Sequence, residues 1–233
     1  LKCRIMLSRP LISVIIPAYN EQGSVGKVVS AARRCSVNQI IVVDNGSTDK
    51  TADDARRAGA EVVFEPKRGY GQACLRGIRA LDKPFIVVFL DADFSDYPEE
   101  LIELCKPISN GDADVVIGSR VLGKSEPGAL LAHARFGNWL AVFLIKLLFG
   151  VKFTDLGPFR AIRFDCLQRL NMRDTDFGWT VEMQVKAALL KMRCMEIPVS
   201  YRKRIGRSKI TGTISGSLRA GFKILLTIFK SYR

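Results

Sequence analysis

Residues 85–93 read Phe-Ile-Val-Val-Phe-Leu-Asp-Ala-Asp (FIVVFLDAD), and this stretch decides the fold. Its apolar part is too short for a core helix and too continuous for a half-exposed strand, so it reads as a strand buried on both faces. Four runs of the same kind lie around it: Leu11–Ile16 (LISVII), Gln39–Val43 (QIIVV), Glu61–Glu65 and Asp114–Gly118. Helical spacing fills the gaps over about 22–35, 49–58, 70–81 and 98–109. Strands alternating with helices form βαβ units, and right-handed crossovers then give an α/β fold. The expectation is a Rossmann-like, mostly parallel open sheet with helices on both faces.

In such sheets ligands bind outside the carboxyl ends of the strands. The unusual polar residues fall there: Pro17-Ala18-Tyr19-Asn20-Glu21 after strand one, Asp44-Asn45-Gly46-Ser47-Thr48-Asp49 after strand two, Asp91-Ala92-Asp93 after strand four and Gly118-Ser119-Arg120 after strand five. Alternation points Asp91 and Asp93 the same way. Two like carboxylates repel, and a divalent cation relieves the cost; hard oxygen donors suit Mg²⁺ or Mn²⁺. Asp93 could equally cap the next helix. Asp44 could accept from a base or ribose, Tyr19 could stack on a base, and Asn45-Gly46 is turn chemistry. Pro17 is expected to end its ladder. Gly69-Tyr70-Gly71 could cradle a phosphate, but it is neither a GxGxxG fingerprint nor a P-loop.

The chain has 233 residues, 48% of them apolar and 25% charged, an ordinary globular composition. Its net charge of +13 points to a polyanionic partner. By count, residues 1–119 hold 15 basic and 16 acidic side chains (−1), and residues 120–233 hold 21 and 7 (+14). Six cysteines without CxxC spacing and a single His, His133, argue against a zinc site or a disulfide scaffold. Residues 1–10 show no apolar core of a secretory leader, and a reduced, cytosolic setting is expected. The longest apolar stretch, Trp139–Phe149, has 11 residues, against about 20 for a membrane span. Residues 123–135 read as a mobile loop, 136–149 as an apolar helix, 159–162 as a strand, 180–191 as a helix and 194–200 as a strand. The basic run YRKRIGRSK at 201–209 leads into an amphipathic helix over 218–232.

Taken together, PAYNE at 17–21, VDNGSTDKT at 43–51, LDADFSDYPE at 90–99, GSR at 118–120, DLGPFR at 155–160, FGWTVE at 177–182 and RIGRSK at 204–209 resemble the family-2 inverting glycosyltransferases. The resemblance is closest to the dolichyl-phosphate mannosyltransferase-like, polyprenyl-phosphate branch and covers about residues 10–210. It implies a GT-A-type catalytic domain over 1–212, followed by the basic helix of 213–233. It implies a hexosyltransferase that moves sugar, with inversion, from GDP-mannose or UDP-glucose to a polyprenyl phosphate. Pro17, Ala18, Tyr19, Glu21, Asp44, Gly71, Asp91, Ala92 and Asp93 would bind the nucleotide sugar, with Asp91 and Asp93 on Mg²⁺ or Mn²⁺. Arg120, Arg135, Arg204, Arg207, Ser208 and Lys209 would bind acceptor or donor phosphate; Asp93, Arg120 and Glu182 would be catalytic.

Three departures mark a sister subgroup. Asn45 stands where the family often has a second Asp, Ser95 where the mannosyl branch often has Gln, and the spacings at Arg204–Gly206 and Asp155–Phe159 are one residue shorter. A lipid phosphate is already largely ionised at neutral pH, so the main task is to hold two anions in line, which the basic second half suits. The expected setting is peripheral, at the cytoplasmic face of a membrane, with oligomerisation open and no nucleic-acid partner. Three alternatives stand beside this. One is a hydroxyl acceptor, needing Glu182 or Asp165 as general base. Another is a basic nucleic-acid module, which leaves the rim carboxylates unexplained. The third is a non-catalytic relative.

Overall fold

The computed structural model describes residues 11–206 and 214–232, with the side chains of the last helix described over 221–230. In chain order the elements are β1 (Ile12–Ala18), α1 (Val25–Arg34), β2 (Gln39–Asp44), α2 (Thr51–Arg57), β3 (Glu61–Phe64), α3 (Tyr70–Arg79), β4 (Ile86–Phe89), α4 (Leu101–Ser109), β5 (Val115–Ser119), α5 (Ala132–Phe149), β6 (Arg160–Arg163), α6 (Phe164–Leu170), α7 (Trp179–Leu189), β7 (Cys194–Pro198) and α8 (Ile214–Tyr232). The strands form one sheet in the order β3-β2-β1-β4-β6-β5-β7. Every pairing is parallel except those of β6, which runs antiparallel to β4 and β5. This is the expected GT-A-type, mostly parallel sheet.

Both faces are covered, which explains the unbroken apolar strands. Val14, Ile16, Ile86, Val88 and Leu90 pack under α1, α2 and α4, with Val28, Ala55 and Leu104 above them. The intervening Ile15, Val87 and Phe89 face the other way, onto Cys74, Ile145, Leu167, Trp179 and Ile228 from α3, α5, α6, α7 and α8. One-residue alternation thus sorts each strand between two cores.

Three expectations change. Pro17 does not end its ladder: it pairs with Val43, and Ala18 with Asp44. The pairing of β1 with β4 reaches Ile15 opposite Phe89, and the Ile15 carbonyl accepts from Leu90 N at 3.1 Å. Alternation turns the missing N–H of Pro17 to that same side, beyond the ladder, where nothing is lost. The stretch expected as a mobile loop is laced down, with Glu126 N donating to Tyr201 O at 2.8 Å and Tyr201 N to Lys124 O at 2.9 Å. The helix after it begins at Ala132 rather than 136. No described helix is long and apolar enough to cross a membrane.

Asp114, at the foot of β5, draws three strands together. It accepts from Arg193 N and Nη2, both at 2.9 Å, and faces Arg163 Nη1 at 3.0 Å. The hydrogen bonds from Arg193 lead in lowering its pKa to about 2. A depressed carboxylate pKa adds stability above the unfolded value, near 4, and loses it as pH falls toward 2. Arg193 is half exposed, so solvent screening limits the gain. Asp114→Asn is expected to lose about 1–2 kcal/mol at pH 7. Urea unfolding at pH 7 and pH 3 should show that gap narrowing; a constant gap would count against the linkage.

Candidate nucleotide-sugar and metal site

The carboxyl ends of β1, β2 and β4 open into a cleft of about 550 Å³. From β1, Pro17, Ala18, Tyr19 and Glu21 line it, and the Tyr19 ring carries the Arg68 guanidinium 3.3 Å from its centre. From β4 come Asp91, Ala92 and Asp93. Tyr70, Asp176, Phe177 and Arg204 complete the wall.

At β2, Asp44 and Asn45 take different positions. Asp44 does not line the cleft; it is buried and accepts from Ser47 N at 2.9 Å, closing the turn. Its neighbour Asn45 does line it. The Asn45 amide donates to the Glu65 and Lys67 carbonyls at 3.0 and 2.7 Å and accepts from Gly69 N at 2.9 Å. An aspartate there would turn oxygen toward two carbonyls and could not make these bonds. The acid missing from the motif is therefore replaced by a stitch between the ends of β2, β3 and α3.

Gly71 makes room for a neighbouring loop. A Cβ there would stand 2.1 Å from the Asp174 carbonyl, and Gln72 N donates to Thr175 O at 2.9 Å. The start of α3 is thus packed against residues 174–176. Gly71 is the spacer that lets this loop approach and bring Asp176 and Phe177 into the wall.

Asp91 and Asp93 lie side by side as alternation requires. The Tyr70 hydroxyl donates to Asp91 Oδ1 at 3.1 Å. Burial and then the Asp93 charge push Asp91 up to about 7, against the pull of Tyr70, Arg120 and Arg204. Asp93 Oδ1 accepts from Ser95 N at 2.9 Å and from Ser95 Oγ at 2.6 Å, so Ser95 orients the carboxylate. Asp93 Oδ2 faces Arg204 Nη1 at 3.2 Å, and Arg204 Nη2 reaches Glu21 Oε1 at 2.6 Å. Beneath them Asp96 is buried with neither oxygen bonded, and burial, then Asp91 and Asp93, favour its neutral acid.

This donor set fits a Mg²⁺ or Mn²⁺ ion. Two carboxylates crowd at one rim, both lining the cleft. Among the described residues no third His, Cys, Asp or Glu joins them as a cage. A hard cation held by one or two carboxylates, its shell completed by substrate phosphate, needs no more.

Three predicted residues lie elsewhere. Glu182 is buried and away from the cleft lining. Its carboxylate accepts from Arg173 N and Asp174 N at 3.0 and 2.7 Å and pairs with Lys186 at 2.6 Å. It anchors the loop that begins at Arg173. Arg120 and Arg135 belong to a second cavity, of about 1040 Å³, which Leu130, Phe136, Trp139, Val142 and Phe153 also line. There Arg120 is held by Asp155 through Nε at 2.8 Å and Nη2 at 2.7 Å. Arg207, Ser208 and Lys209 lie outside the described residues.

With this geometry in place, comparison with known proteins is informative. Residues 13–170 match glycosyl transferase family 2. The chain belongs to that family. It is a glycosyltransferase. An uncharacterized glycosyltransferase of Mycobacterium tuberculosis is 35% identical over 212 residues, covering 90% of this chain and 94% of that one. A dolichyl-phosphate hexose transferase of Haloferax volcanii is 30% identical, covering 88% and 89%. The fold matches that of the glucosyl-3-phosphoglycerate synthase of M. tuberculosis, solved with Mn²⁺, UDP and phosphoglyceric acid, with TM-score 0.75, 22% identity and coverage of 96% and 79%.

Motif reading of this glycosyltransferase missed Arg68, Tyr70, Asp176 and Phe177. Tyr70 lies within the glycine stretch already noted and Arg68 directly precedes it, and that adjacency is the signal the sequence offers. Phe177 opens the FGWTVE motif at 177–182, and Asp176 directly precedes it; their place in the cleft follows from the close approach of residues 174–176 to α3, which no spacing rule foretells.

Proposed function

We propose that this family-2 enzyme transfers a hexose, with inversion and in the presence of Mg²⁺ or Mn²⁺, from a nucleotide sugar to a polyprenyl phosphate. The observation that carries the reading is the pair Asp91 and Asp93 at the rim of the strand-end cleft. A second cavity carries Arg120 and Arg135 beside apolar residues, and the Arg120 guanidinium stands 5.2 Å from the centre of the Tyr201 ring, whose residue bridges to Asp96 on the loop that carries Asp93.

In this reading Asp91 and Asp93 hold the cation against the donor diphosphate. When bound, that cation stabilises the charge on the leaving nucleotide. Tyr19 and Arg68 form the base platform. Arg120, fixed by Asp155, and Arg135 at the cavity mouth hold the acceptor phosphate, and Arg supplies a fork that fits phosphate. One phosphate oxygen attacks the anomeric carbon, the bond from that carbon to the nucleotide oxygen breaks, and the nucleoside diphosphate leaves. The acceptor oxygen is already ionised, so Glu182 is not required as a base.

The apolar side of the second cavity, formed by Leu130, Phe136, Trp139, Val142 and Phe153, suits a lipid tail. Its residues Phe136 and Trp139 continue onto the outer face of α5 with Phe143 and Leu147, which are 62%, 57%, 48% and 67% exposed. Phe222 and Phe229 of α8, which packs beside α5, are also exposed. Aromatic residues flanked by Lys146 and Lys230 suit the surface of an anionic bilayer. Peripheral attachment at the cytoplasmic face is part of the proposal.

The test is a transfer assay with labelled GDP-mannose and UDP-glucose, Mn²⁺, and either a detergent-solubilised polyprenyl phosphate or phosphoglyceric acid. Lipid-linked product from one donor, and none on the soluble acid, is expected. The reverse outcome would establish a soluble acceptor.

A further inference from the structure

The segment from Tyr201 to Gly206 lies along the loop that carries Asp93 like a short added strand. Tyr201 bridges to Asp96. Arg202 N donates to Ser95 O, and Ile205 N to Asp93 O, each at 2.9 Å. The Arg202 guanidinium sits over the Phe94 and Tyr97 rings, 3.5 and 4.0 Å from their centres, and donates to the Phe94 carbonyl at 2.6 Å. The segment is therefore secured by its backbone and by Arg202. Arg204, carried between these anchors, has its side chain in the cleft.

That side chain has two features an ordinary structural ion pair lacks. Its Nη1 faces Asp93 Oδ2, the carboxylate oxygen left over by Ser95. Its Nε is buried with no acceptor. A buried donor without a partner is uncommon in a native protein and calls for a reason. A guanidinium with one donor unmet beside a diphosphate cleft has an evident missing partner, because phosphate oxygens engage the arginine fork two at a time.

We infer that Arg204 is a resident counter-cation that changes partners during loading. This rests on the reading that Asp91 and Asp93 hold the divalent ion. In the empty cleft its positive charge neutralises Glu21 and Asp93 and competes with the ion for Asp93 Oδ2. When a nucleotide diphosphate arrives, its oxygens take up the fork, including Nε, and Asp93 is released to the metal. Arg202 and Ile205 keep the segment in place, so the exchange needs only the side chain of Arg204 to turn. Metal and nucleotide binding are thereby coupled, and linkage makes the coupling reciprocal.

The test measures Mn²⁺ affinity from the free-ion paramagnetic resonance signal, without nucleotide and with GDP or UDP. For the natural chain, Mn²⁺ alone should bind weakly, and the nucleotide should tighten it roughly tenfold or more. In Arg204→Gln, Mn²⁺ alone should bind about threefold to tenfold more tightly, and the tightening by nucleotide should shrink toward none. Arg204→Lys keeps the charge without the fork and should fall between; it also serves if the glutamine variant folds poorly. Unchanged or weaker binding of Mn²⁺ alone in Arg204→Gln overturns the inference. Asp93→Asn separates the two ideas. If that variant still binds Mn²⁺ normally with nucleotide, the metal assignment fails and the Arg204 inference fails with it. If it does not, the arginine variants decide the coupling alone.

Discussion

Asp93→Asn is expected to lower sugar transfer by about a thousandfold, with no recovery at saturating Mn²⁺. The substitution keeps the shape of the side chain and lets it go on accepting from Ser95. It removes the charge that faces Arg204 and, in the proposed reaction, the cation. Loss of a divalent ion from a departing diphosphate forfeits stabilisation where charge develops, so kcat should fall at least as far as kcat/KM. Turnover by the natural chain and the variant, with matched donor and lipid acceptor, checks this. A loss below tenfold would mean that the carboxylate is structural and that the ion, if any, sits elsewhere.

Asp155→Ala should have the largest effect on stability. Asp155 is 1% exposed and takes three hydrogen bonds from Arg120, one from its backbone and two from its guanidinium. Removing it leaves a mostly buried guanidinium without its counter-charge, a change that typically costs about 3–5 kcal/mol. For a chain of this size the melting temperature should drop on the order of 10 °C. The double variant Arg120→Met, Asp155→Leu should recover most of the stability, since replacing both partners removes the unpaired charge, but it should not recover transfer. If the single variant melts within a degree or two of the natural chain, the buried pair does not carry the stability assigned to it.

Much of this architecture can be read from the chain, and the reasons are local. Strands β1, β2 and β4 are continuous β-branched runs, and the carboxylates at their exits follow from alternation, so Asp91, Asp93, Tyr19 and Glu21 are legible from position alone. The rest depends on which neighbours fold against a side chain and on element length, which spacing does not show. Glu182 reads as a catalytic acid by its motif, yet residues 173 and 174 claim its oxygens. Gly71 reads as part of a phosphate cradle, yet residue 174 fills the space it leaves. Arg160, 0% exposed, donates to the carbonyls of Leu156, Gly157 and Thr180, and its charge alone would place it at the surface. Burial lowers its pKa to about 10, with three carbonyls in place of an anion. Helix α6 has seven residues and starts directly after β6, too short to show a period.

The place of β6 has a consequence for how the chain is made. Strands β4 and β5 never touch as neighbours; residues 160–163 are wedged between them, antiparallel to both. A ribosome that has delivered residues up to 119 has produced four strands that can zip together and a fifth with no berth. The newborn half must wait, its hydrophobic gap open, until some forty more residues emerge and the wedge arrives. Fragments cut between β5 and β6 should therefore be clients of chaperones and poor candidates for a minimal nucleotide-binding module.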